Sequence, residues 1–216
     1  NVNFNAEKAR VIFDPTKSDT NDLIQAVKSA GYKAQVADMT DPEAERKRKE
    51  KEINDYYNRF VTSLILSLPM LYFMLFDFFK FMPLRALLLP YVGIISLVLT
   101  VPVQFIIGAG FYRGMWSSLK MKTFNMDSLI AIGTSTAFFY SFAQFLIYVI
   151  ANKSVIGLNG AKIPELYFET AAFLITFVIL GKWLETKAKG KTSEAIKKLM
   201  GLQPKTARVI RSGLII

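Results

Sequence analysis

Residues 128–152 read SLIAIGTSTAFFYSFAQFLIYVIAN, 25 consecutive positions without a charged side chain. A helix needs roughly 20 such residues to cross about 30 Å of hydrocarbon. Two more runs lie on the N-terminal side: Phe60–Phe76, 17 residues between Arg59 and Asp77, and Ala86–Tyr112, 27 residues. On the C-terminal side, Thr170–Gly181 holds only 12 uncharged residues, about 18 Å of helix. To span, that helix must take in Glu169 at one end and Lys182 to Glu185 at the other. The expected fold is mainly α and membrane-embedded, with four transmembrane helices.

Composition supports this class. The chain is 52% hydrophobic with a formal charge of +10, whereas a disordered basic tail would carry far less apolar residue. Residues 1–55 hold 10 basic and 11 acidic side chains, residues 56–216 hold 17 and 6, and residues 182–216 alone hold 9 and 2. The excess thus sits inside or beside the apolar region, not on a polar foldable domain as in a nucleic-acid binder. Lys80, Arg85, Lys153 and Lys162 fall between spans on one side. Arg46 to Arg59, Arg113, Lys120, Lys122 and the tail from Lys182 fall on the other. The positive-inside rule makes the second side, with both termini, cytoplasmic; a bacterial plasma membrane is the expected location.

With no cysteine and no histidine, disulfide scaffolds, thiol catalysis and the commonest metal ligand are excluded. Metal chemistry here must use carboxylates, thioethers, amides or carbonyls. Asn1 in place of an initiating Met points to a processed chain or a segment of a longer one.

Ahead of the spans, the sequence reads as α+β. Val2–Asn5 and Ala9–Phe13 pattern as strands around a turn at Ala6–Lys8, Thr20–Ala30 as a helix stopped by Gly31, and Lys33–Ala37 as a last strand. Such a unit is too small to bury its own core. Asp41–Asp55 is a mixed-charge run, read as a solvated helix or linker.

In the second span, Gly108 and Gly110 weaken the helix. Phe111, Tyr112, Met115, Trp116 and Leu119 then interleave with Arg113, Lys120 and Lys122. A kink at the glycines would lay this stretch along the cytoplasmic interface as an amphipathic platform. Its cations suit either docking of an acidic partner or plain membrane anchoring. The fourth span continues as a stalk toward Met200, Gln203-Pro204 ends it, and Thr206–Ile216 begins a strand pattern.

Three side chains are candidates for chemistry. Glu169 and Glu185 stand 16 residues apart, about 24 Å along a helix, so they cannot share one ion. Carboxylates at membrane depth mark an ion path unless they rest among headgroups. Met126 opens the third span on the Glu185 side; its thioether suits Cu(I), though methionine commonly fills packing gaps. Met70, Met74 and Met82 take the packing reading.

The segments Gln104-Phe105 through Phe111-Tyr112, Asn125 to Thr134, Tyr167-Phe168-Glu169, Gly181 to Glu185, Lys189 to Thr192 and Leu202 to Ala207 together resemble copper(I)-transporting P-type ATPases of the heavy-metal class. Ala6-Glu7-Lys8-Ala9 and Ala30-Gly31-Tyr32 resemble the second half of that class's ferredoxin-like metal-associated domain. The resemblance implies residues 1–38 as a partial metal-associated domain, 39–58 as a charged linker and 59–200 as the membrane region. Within the last, 110–122 is the platform and 184–200 the stalk; 201–216 begins the actuator domain. It implies Gly108 at the kink, Met126 and Glu185 at the cytoplasmic metal entrance, and Glu169 on the exit path. Gly110, Arg113, Lys120 and Lys122 join Gly108 in docking a copper chaperone or the chain's own metal-binding domain. Cu(I) would be the transported ion, with ATP and Mg2+ used only by the full-length parent and its remaining domains. The Cys-Pro-Cys, Asp-Lys-Thr-Gly, Thr-Gly-Glu and Cys-x-x-Cys motifs of the class are absent, which fits a truncated chain without hydrolytic activity. The alternative is a stand-alone four-helix membrane protein that binds metal or a metallochaperone without catalysis.

Overall fold

In the computed structural model, the uncharged run that opens the sequence reading is one helix, Met126–Asn152. Asn125 starts it: its Oδ1 accepts from the Ser128 backbone N–H at 2.9 Å and the Ser128 hydroxyl at 3.0 Å, satisfying donors that have no partner inside the helix. The structure describes residues 2–3, 8–31, 34–36, 42–79, 81–201, 210–211 and 214–215. In chain order the helices are α1 (Thr20–Ser29), α2 (Pro42–Phe78), α3 (Arg85–Leu88), α4 (Val92–Pro102), α5 (Ala109–Lys120), α6 (Met126–Asn152) and α7 (Phe168–Gly201).

The N-terminal strands are shorter than expected: β1 (Val2–Asn3) pairs antiparallel with β2 (Lys8–Ala9), Val2 opposite Ala9. Most of the intervening turn lies outside the described residues, as do Lys33 and Ala37 of the expected last strand; residues 34–36 form no regular element. α1 forms as its caps dictate. Asp19 closes a capping box with Asp22, whose carboxylate accepts from the Asp19 N–H at 2.8 Å. At the C-terminal end, β3 (Ile210–Arg211) pairs with β4 (Leu214–Ile215); Gln203-Pro204 and residues 206–209 lie outside the described residues.

The charged run read as helix or linker is helical and continuous with the first span: α2 runs unbroken for 37 residues. Arg46 and Glu50 pair one turn apart at 3.4 Å, a spacing that supports an exposed helix. Among the described residues, three helical stretches are long and apolar enough to cross a membrane: Arg46–Phe78, Arg85–Ile107 and Met126–Asn152. By length and apolar composition these helices mark an integral membrane protein. α7 is not among the three, because Glu169, Lys182 and Glu185 interrupt its apolar stretch.

α7 nevertheless lies antiparallel against α2. Midway along both helices, Trp183 contacts Tyr57 and Phe60, with ring centroids 5.4 and 6.3 Å apart. Nearer the start of α7, the buried Ser67 and Thr176 hydroxyls meet at 3.1 Å. Between α2, α4, α6 and α7 sits the main core, built on Met70, Val103, Ile130, Ala131, Ala172, Ile175 and Ile179, with Phe111 of α5 closing it. Small residues on α7, Ala171 and Ala172, are fully buried, as expected where helices in lipid approach by packing and not by a hydrophobic drive.

Candidate metal entrance and platform

The second span changes geometry before it ends. After α4, residues Val103–Ile107 make a π-helical turn, closed by a bond from the Gly108 N–H to the Val103 carbonyl at 2.9 Å. Pro102, at the end of α4, lacks the N–H that would have continued regular pairing. Gly108 is required by close approach: a Cβ there would stand 2.5 Å from the Gln104 carbonyl oxygen and 3.2 Å from Ile175 Cδ1. At Gly110 a Cβ would meet nothing within 4 Å. Of the two glycines expected to permit the kink, only Gly108 faces that constraint.

α5 leaves this break as a separate helix. Arg113, Trp116, Leu119 and Lys120 are exposed, as is Lys122 just beyond it, while Phe111, Ser117 and Ser118 are buried. An open groove on α5 is lined by Tyr112, Arg113, Trp116, Ser117 and Lys120 together with Gly31. The end of α1 rests here: the Ser117 hydroxyl donates to the Ala30 carbonyl at 2.7 Å. A helix C-terminus carries partial negative charge, so the cations of α5 are placed to receive one.

Across the break runs a buried polar cluster that the sequence reading did not single out. Gln104, wholly buried, donates from Nε2 to the Tyr112 hydroxyl at 2.5 Å and to Thr134 Oγ1 at 3.0 Å. Thr134 spends its own proton on the Ile130 carbonyl at 2.9 Å, so toward Gln104 it can only accept. Tyr112 in turn meets Ser135 at 2.8 Å. The signal in the sequence was a glutamine in the middle of a 27-residue uncharged run, since a primary amide in hydrocarbon needs partners.

The two residues assigned to the metal entrance lie at the same end of the helices. Met126 is the first residue of α6 and is 57% exposed. Next to it, Asp127 Oδ1 accepts from Lys182 Nζ of α7 at 2.7 Å. Glu185 follows Lys182 by three residues, is exposed, and accepts from Lys189 at 2.9 Å. One ion pair therefore joins the neighbour of Met126 to the turn of α7 that precedes Glu185. Among the described residues no three carboxylates converge on a point. A thioether and a carboxylate, both open to solvent, suit brief capture of a soft monovalent ion, not a closed multidentate cage.

Glu169 stands in the first turn of α7, 16 residues before Glu185, about 24 Å along the helix. The carbonyl of its neighbour Phe168 accepts from the buried Thr100 hydroxyl at 3.2 Å, and the same hydroxyl reaches Met70 Sδ at 3.5 Å. The Lys162–Asp77 pair, 2.9 Å, links the loop before α7 to the end of α2. Met70 is 1% exposed and packed in the core, as the packing reading required.

No family model matches the chain. Curated proteins do. The chain is 41% identical over 215 residues to the copper-exporting P-type ATPase of Bacillus subtilis (strain 168). It is 38% identical over 210 residues to that of Staphylococcus epidermidis (strain ATCC 12228 / FDA PCI 1200) and 36% identical over 214 residues to that of Staphylococcus aureus (strain Newman). These alignments cover 97–98% of this chain and 25% of each relative, so the chain spans a quarter of the length of the curated relatives it matches. The motifs quoted from residues 104–207 thus sit inside a relationship that runs nearly end to end, and the chain is related along that length to the copper-exporting P-type ATPases.

Proposed function

We propose that this chain forms the cytoplasmic metal entrance and membrane platform of an ATP-driven copper(I) exporter. The relationship to copper-exporting ATPases over 97–98% of the chain carries this reading. α7 is the fourth crossing: antiparallel to α2 and flush with it through Tyr57–Trp183 and Ser67–Thr176, it shares the depth of a helix that does span. Both termini then lie on the cytoplasmic side with the cations of α5. Residues 1–38 are the remainder of a ferredoxin-like metal-binding unit whose α1 end rests on α5, and residues 201–216 open the actuator domain. A copper chaperone, or the chain's own metal-binding unit, delivers Cu(I) at α5. Met126 and Glu185 take the ion in, and Glu169 stands on its way out. ATP and Mg2+ act through domains of the longer protein.

The test is direct. The purified 216-residue chain in lipid nanodiscs should bind Cu(I), and Met126→Ala or Glu185→Ala should weaken that binding. It should show no copper-stimulated ATP hydrolysis; measurable hydrolysis would refute the segment reading, and undiminished binding in both variants the entrance assignment. A stand-alone four-helix membrane protein that binds metal or a metallochaperone without catalysis is the other reading; a stop codon directly after Ile216 in the gene would favour it.

A further inference from the structure

The Lys182–Asp127 ion pair is held from three sides. Lys182 Nζ lies 2.7 Å from Asp127 Oδ1 and 5.0 Å from the centre of the Phe111 ring of α5, and both charged side chains are 23% exposed. On its other side Asp127 abuts Gly114 of α5 so closely that no Cβ would fit between them. Asp127 is also in the first turn of α6, where the helix dipole favours a negative charge. Three helices, α5, α6 and α7, therefore meet at one charge pair.

Met126 and Glu185 themselves are exposed, and the only ion pair of Glu185 among the described residues is with Lys189 on its own helix. Among the described residues, the Lys182–Asp127 pair is the side-chain hydrogen bond that joins α6 to α7 beside the two candidate ligands, Asp127 following Met126 directly and Lys182 preceding Glu185 by three residues. Ligating side chains must be held to within about 0.5 Å of the productive geometry by their supports. We propose that Lys182, acting through Asp127, is the positioning residue of the metal entrance: it fixes the separation of Met126 from Glu185 and ties both to the platform helix. This rests on the assignment of Met126 and Glu185 as ligands, and its structural part is measurable without copper.

The chain has no cysteine, so two introduced thiols carry spin labels without background. Leu129→Cys on α6 and Leu184→Cys on α7, both exposed, report the spacing of the two helices in nanodiscs. The parent pair should give one narrow distance. Lys182→Met should broaden it and Lys182→Arg should restore it; if Lys182→Met does not fold, the near-isosteric Asp127→Asn carries the same expectation. An unchanged width in Lys182→Met or Asp127→Asn overturns the positioning role. In parallel, Cu(I) titrated against a chromogenic chelator should bind Lys182→Met about tenfold more weakly, as when the support of a metal ligand is removed, and Lys182→Arg nearly as the parent does. Loss on Met126→Ala without loss on Lys182→Met overturns the inference alone. A broadened distance with Cu(I) binding indifferent to both Met126→Ala and Glu185→Ala overturns the ligand assignment and leaves the ion pair as a helix staple.

Discussion

Gln104 and Tyr112 are joined across a helix break: the amide of one, four residues before Gly108, donates to the hydroxyl of the other, four residues after it. The bond bridges the π-helical turn and the start of α5. Tyr112→Phe removes the acceptor and leaves one Gln104 N–H unpartnered, whereas Gln104→Leu removes donor and orphan together. Interhelical hydrogen bonds in membranes average about 0.6 kcal/mol and reach about 1.7 kcal/mol. A double-mutant cycle on unfolding in detergent should place the coupling inside that range. Zero coupling means the platform angle is set elsewhere.

Gly108 and Gly110 should part company on substitution. Helix propensity alone favours Gly→Ala by about 1 kcal/mol at either position. Gly110→Ala should realise some of that gain, since its Cβ enters open space. Gly108→Ala should lose stability, because the Gln104 carbonyl and Ile175 occupy the space required. Thermal midpoints measured by circular dichroism decide it: shifts of the same sign contradict the geometry.

Two methionines separate folding from metal binding. Met70 is 1% exposed, so Met70→Ala should cost about 2–5 kcal/mol as a buried large-to-small change without altering Cu(I) affinity in the molecules that fold. Met126, 57% exposed, should cost less than about 0.5 kcal/mol and reduce affinity. Paired unfolding and Cu(I) titrations on both variants read this out.

The proposed topology predicts a labelling pattern. Single cysteines at Lys153 and Lys162 should react with a membrane-impermeant maleimide applied to whole cells, and those at Lys120 and Lys187 only after the membrane is opened. Equal reactivity at Lys120 and Lys153 contradicts a crossing by α6.

Much of this architecture was legible because hydrocarbon imposes a simple rule on sequence. The runs around Phe60, Ala86 and Ser128 announced three helices long and apolar enough to cross, and Glu169 and Lys182 showed where the apolar stretch of α7 is interrupted. Contacts between distant residues were not legible. Lys182 read as a burden on the fourth span, and only the fold shows it answering Asp127, 55 residues away. The break in the second span was anticipated from two glycines, yet the π-helical turn at Val103–Ile107 follows from Pro102 and from packing against Ile175, which periodicity does not encode. The mixed-charge run before Phe60 left helix and linker open, because exposed charges at helical spacing are compatible with both until a continuing span templates them.

That continuity has a mechanical consequence. α2 carries Pro69 inside its apolar run, but its first 18 residues, 42–59, are continuous helix and extend about 27 Å beyond the start of that run. A rod with no joint at the membrane surface converts tilt into displacement: leaning the span by about 10° carries its free end sideways by about 5 Å. The charged part of α2 is thus a lever whose fulcrum lies in the bilayer, and rocking it works against α7, which it meets at Tyr57 and Trp183.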